Sequence, residues 1–101
     1  MIKILIKQEG KKVKLLEVKG HADSAPYGKD LVCAAVSAVL TGGFNAIQDV
    51  TSLELILKEG YASLEVKQSL SPHDEVVVET IISGLETIAD SHQDFVQVKK
   101  L

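Results

Sequence analysis

Residues 20–37 read GHADSAPYGKDLVCAAVS, and the change of character inside this stretch decides the fold. It opens on a glycine–histidine pair, crosses a polar loop carrying Pro26 and Gly28, and turns apolar at Leu31. Upstream the chain alternates as a strand does. Downstream it is apolar nearly all round, as a helix buried on most sides would be. The stretch also holds the one cysteine of the chain, Cys33, and the histidine best placed to meet it, His21.

Cys33 falls in the first turn of the predicted helix, where unpaired backbone N–H groups and the positive end of the helix dipole favour thiolate over thiol. His21 stands across the loop at the end of a predicted strand, and the intervening residues can fold back to bring the pair together. A thiol at a helix start with an imidazole in reach is what nucleophilic cysteine catalysis requires. The competing reading is a cysteine that merely packs among Val32, Ala34 and Ala35, with His21 a hydrogen-bonded loop residue. Asp30 suits either the orienting acid of a triad or the helix N-cap, and Asp23 is a second acid in the loop. Ser37, one turn beyond Cys33, either lines a pocket or bonds back to its own helix. Residues 22–29 have little aliphatic bulk and read as a substrate lid, so Gly20, Ala22, Tyr27 and Gly28 are candidate lid or pocket residues. Tyr27 reads equally as a contact to a peptide and as a packed loop anchor.

On the N-terminal side, Ile2, Ile4 and Ile6 alternate with Lys3, Leu5 and Lys7, and a turn at Gly10 leads to Val13, Leu15, Leu16 and Val18. This is a β-hairpin, in which the Leu15-Leu16 doublet signals a bulge or two-sided burial. The apolar helix runs over 31–48, weakened at Gly42-Gly43. Residues 53–57 and 61–66 form a second hairpin around Lys58-Glu59-Gly60. Ser71-Pro72-His73-Asp74 starts a second helix with a serine cap, a first-position proline and an acid in the first turn. Its stripe is Val77, Ile81, Leu85 and Ile88, and it ends near Ser91. Phe95, Val96 and Val98 make a last strand. The order ββαββαβ predicts an α+β two-layer sandwich: one largely antiparallel sheet with two helices on one face, a single domain over 1–101.

The chain has 101 residues, 46% of them hydrophobic and 25% charged, as expected of a soluble globular domain. With two tyrosines, two phenylalanines and no tryptophan, the core must be aliphatic. A net charge of −3, with basic clusters only at Lys11-Lys12-x-Lys14 and Lys99-Lys100, argues against direct nucleic-acid binding. The N-terminal segment alternates and is short, unlike a signal peptide, and no run reaches membrane-span length. A lone cysteine suggests a reducing compartment, so the expected location is the cytoplasm. His73 and His92 read as exposed residues at opposite ends of the second helix. One cysteine and three dispersed histidines lack metal-ligand spacing, so neither a metal nor another cofactor is expected.

Gly20-His21-Ala22, followed by Gly28-x-Asp30-Leu31-Val32-Cys33-Ala34-Ala35-Val36-Ser37, closely resembles the bacterial ribosomal-processing cysteine proteases of the Prp type. The element order fits that family too. The resemblance implies a Cys/His protease with Cys33 as nucleophile and His21 as general base, and Asp30 matches the acidic position of the motif. It further implies a peptide substrate, the precursor of a bacterial large-subunit ribosomal protein (number twenty-seven). A short N-terminal extension would be removed after an apolar, phenylalanine-containing segment. The family's homodimers would suit the alanine-rich helix. Two other classes compete: a non-catalytic ribosome-associated binding module with a packed cysteine, and a redox sensor using a reactive thiol. The sensor would need a partner thiol from outside the chain.

Overall fold

A computed structural model describes all residues except Tyr27 and Gly28. Strand β1 (Ile2–Glu9) turns at Gly10 into β2 (Lys12–Lys19), and the chain crosses to helix α1 (Leu31–Ala46). A 3₁₀ turn (Val50–Ser52) leads into the hairpin β3 (Leu53–Lys58) and β4 (Tyr61–Val66), followed by helix α2 (Pro72–Ser91) and strand β5 (Val96–Lys100). The five strands form one mixed sheet in the order β3-β4-β2-β1-β5. Three pairings are antiparallel, and β5 lies parallel to β1 at the edge. The predicted sandwich is therefore the observed one.

Register explains the core. Ile4 pairs with Val18, Val18 with Ala62, and Ala62 with Leu57, while Ile6, Leu16, Leu64 and Leu55 make a parallel row. Apart from Leu57, which is exposed at the end of its strand, these core-facing rows lie beneath the buried residues of both helices in one hydrophobic cluster. The opposite face of the sheet carries Lys3, Lys7, Glu17, Lys19, Glu54 and Glu65, as expected of a sheet with one wetted side. The doublet in β2 is resolved by a bulge: Lys7 pairs with Leu15 but Gln8 with Val13, leaving Lys14 extra. That one residue lets Val13 and Leu16 pack on the same core although they are three apart.

Helix α1 departs from the reading of a helix buried on most sides. Its buried residues are Val32, Val36, Leu40 and Phe44, one stripe at four-residue spacing. Ala34, Ser37 and Ala38 are exposed. The helix also ends at Ala46, two residues short of the predicted boundary. Ile47 is extended, and the next two amides, of Gln48 and Asp49, donate to the carboxylate of Asp74 at 2.9 and 3.0 Å. Asp74 sits in the first turn of α2, fully buried, with His73 Nδ1 3.0 Å from Oδ1. The Gln48 amide first, then His73 and the Asp49 amide, hold this carboxyl below its ordinary range. It is an ionic pin between the two helices. The predicted serine cap is present, since Ser71 Oγ accepts from the Asp74 amide.

Gly43, read from sequence as a weak point of the helix, has a packing role. A Cβ on it would overlap the side chain of Ile81. The bare Cα is what allows α1 to lie close against α2.

Candidate active site

The site assembles where β2 runs out. His21 and Ala22 follow the end of β2, and Asp30 caps α1 two positions before Val32 and three before Cys33. Asp30 Oδ1 accepts from the backbone N–H of Val32 and of Cys33, both at 3.0 Å. The same carboxylate reaches back across the loop. Ser24 donates its backbone N–H to Oδ2 at 2.9 Å and its hydroxyl to Oδ1 at 2.5 Å. Four donors converge on one side chain, so its charge is heavily compensated. The Ser24 hydroxyl first, then the Cys33 amide, hold the Asp30 carboxyl well below the usual carboxylate range.

Asp30 therefore caps the helix and clamps the loop to it. Among the described residues none of its hydrogen bonds goes to His21, so the cap reading describes this geometry and the imidazole-orienting one does not. Ser24 was not singled out from sequence. A serine six residues before a cap carries no local signal, and only the fold-back of the loop pairs them.

Folding the loop onto the helix brings Ala22 over Cys33. Ala22 is buried, and its N–H donates to Cys33 Sγ at 3.2 Å. An amide dipole aimed at sulfur is an arrangement that stabilises a thiolate. Asp23, the next residue, has φ of +56°, a left-handed turn that lets the Ala22 and Ser24 amides both address the start of α1. Ala22 and Ser24 are thus anchored, not loosely attached as expected of a lid. The lid readings of Tyr27 and Gly28 lie outside the described residues. Asp23 itself is exposed, with its carboxylate 3.9 Å from the Met1 amino group.

Two clefts meet at the cysteine. One runs beneath α1 and is lined by Ile2, Val18, Leu40, Leu57 and Ala62 along with Gly20, His21, Cys33 and Ser37. The other is more open, with His21, Asp23, Asp30, Cys33, Ser37 and Glu59 on its walls. His21, Cys33, Ser37 and Glu59 are common to both. No hydrogen bond joins His21 to Cys33 in this conformation. Ser37 is exposed on α1 and faces the clefts, which suits the pocket-lining reading. Glu59 and Gly60, in the β3–β4 turn, border His21 from the far side and were visible in the sequence only as turn residues. His73 is half-exposed beside Asp74, far along the fold from this site, and His92 is the exposed C-cap of α2.

A buried-edge cysteine in a first helical turn, an amide on its sulfur and a histidine in the same cleft suit thiol chemistry on an extended substrate. Residues 1–97 match the family described as Cysteine protease Prp. The chain belongs to the Prp family of cysteine proteases. It is 37% identical over 90 residues to the ribosomal processing cysteine protease Prp of Bacillus subtilis, covering 81% of this chain and 80% of that one. The Staphylococcus aureus protein of the same name is 30% identical over 101 residues, covering 96% and 94%. A crystal structure of the S. aureus protease with a covalently linked product peptide superposes with a TM-score of 0.88 at 25% identity, each chain covered completely. The enzyme class is thereby given: the chain is a cysteine protease. Among the described residues no helix is long and apolar enough to cross a membrane.

Proposed function

We propose that this protease matures a bacterial ribosomal protein precursor in the cytoplasm. The bond cut follows an apolar, phenylalanine-containing segment at the N-terminus of large-subunit protein number twenty-seven. The observation that carries the proposal is the apolar cleft opening directly onto Cys33 and His21. Its volume is about 230 Å³. An enclosed cavity of about 150 Å³ suffices to bind benzene, so this open cleft has room for a phenyl side chain. The names of the relatives, ribosomal processing proteases, support the substrate class.

The chemistry is acyl transfer within a single domain spanning 1–101. Cys33 Sγ, as thiolate, attacks the scissile carbonyl carbon and forms the S–C bond. His21, as imidazolium, gives a proton to the departing amine as the C–N bond breaks. Water then attacks the thioester, with His21 taking its proton, and the acid product leaves as sulfur returns to thiolate. The Cys33 amide donates to Asp30 and is not free to meet the developing oxyanion. The nearby donor that becomes available is the Ala22 N–H, because the sulfur it serves loses its charge as the carbonyl oxygen gains one.

The active species is a homodimer paired through the groove between α1 and α2, where Ala38, Val39, Gly42, Val76 and Val77 lie at the surface. Val76 is 58% exposed there, which suits a face covered by a second copy.

Incubating the protein with its host's own ribosomal precursor, with mass-spectrometric detection, tests the reading. A single new N-terminus after the apolar segment is expected, absent with Cys33→Ala. An uncut precursor would mean that the protease acts on a different peptide.

A further inference from the structure

The turn between β3 and β4 does more than wall the site. Gly60 has φ of +74°, and a Cβ built on it would stand 3.0 Å from His21 Nε2 and 3.6 Å from Cε1. The imidazole therefore lies against the bare Cα. The backbone makes the same junction: Gly20 N–H, one residue before His21, donates to Gly60 O at 2.9 Å. That bond extends a ladder in which Lys19 pairs with Tyr61. One residue of a distant hairpin thus holds both the main chain leading into His21 and the flank of its ring. An exposed histidine next to a loop otherwise samples several rotamers, and a surface against one flank removes some of them.

We infer that Gly60 is a positioning residue for His21, its side-chain-free Cα being the seat that holds the imidazole in the cleft it shares with Cys33. The inference rests on the reading of His21 as proton donor and acceptor for Cys33. It assigns a function to the β3–β4 turn that its turn chemistry alone does not need. A positive φ tolerates asparagine as well as glycine, whereas a Cβ at Gly60 would press on the His21 ring and force it to shift.

That difference is the test. Gly10 also has positive φ, +60°, with nothing within 4 Å of a built Cβ. Gly60→Asn and Gly10→Asn therefore impose similar backbone demands, and only the first pushes on His21. In the full-length protein, Gly60→Asn is expected to move the NMR resonances of the His21 ring protons. It should also lower kcat for a peptide spanning the scissile bond, on the order of 10- to 100-fold, with KM nearly unchanged. Gly10→Asn should do neither. Unmoved His21 resonances, or equal kcat losses in the two variants, would overturn the inference. If Gly60→Asn does not fold, the unmodified protein decides, through nuclear Overhauser contacts between the His21 ring and Gly60 Hα. Their absence overturns it as well. Failure of the underlying dyad reading looks different: His21→Ala would keep full kcat although the unmodified protein shows those contacts, and the positioning role would fall with it.

Discussion

The backbone N–H of Ala22 donates to the sulfur of Cys33 at 3.2 Å, across eleven residues of chain. The loop that carries His21 is thereby fastened to the nucleophile itself, and the Asp30–Ser24 clamp fastens it a second time two residues later. Sulfur, loop and helix cap form one unit.

Replacing Cys33 by alanine removes the nucleophile and the sulfur acceptor of the buried Ala22 amide. Cleavage should vanish while the fold remains, with a stability loss of about 1–3 kcal/mol or less. Urea unfolding and the mass-spectrometric assay measure the two halves. Residual processing by this variant would mean that the nucleophile lies elsewhere.

His21→Ala should slow cleavage by about 10²–10⁴-fold, the range typical of a lost acid–base group. Full cleavage activity in this variant would show that His21 is not the acid–base group.

The acid side of the stability curve should steepen early. Asp30, Asp49 and Asp74 all have carboxyls held below the ordinary range, by the Ser24 hydroxyl, the Thr51 hydroxyl and the Gln48 amide respectively. A folded value below the unfolded one contributes stability that is present above the unfolded value, about 3.9, and lost as pH falls below it. Melting temperature followed from pH 7 down to about 2 should therefore drop mainly below about pH 4. Asp74→Asn, which cannot ionise, should melt lower at neutral pH and show a flatter acid limb. A wild-type curve level across that range would contradict the assignment.

Gly43→Ala sets two effects against each other. Alanine favours the helix by about 0.5–1 kcal/mol. Its methyl would overlap Ile81, and overpacking of this kind costs about 1–3 kcal/mol. The net result should be a lower denaturant midpoint, restored in part by Ile81→Val, which trims the opposing side chain. A midpoint above wild type would mean that the helices can slide apart freely.

What the sequence by itself determined was local. Alternation along Ile2, Ile4 and Ile6 marks a half-buried strand, Ser71-Pro72 marks a helix start, and Asp30 just ahead of an apolar run marks a cap, because each signal lies within one turn or one pleat of its cause. The motif around His21 and Cys33 was legible in the same way, as short spacing in a single stretch. Tertiary structure decided what depends on remote partners. Pairing β4 with β2 sets the Lys58-Glu59-Gly60 turn against His21, although some forty residues of chain intervene. Laying β5 parallel to β1 makes the sheet mixed. Burying Asp74 under the end of α1 stops that helix two residues early. None of these could be read locally, because each residue looks ordinary until the fold supplies the neighbour that gives it a role.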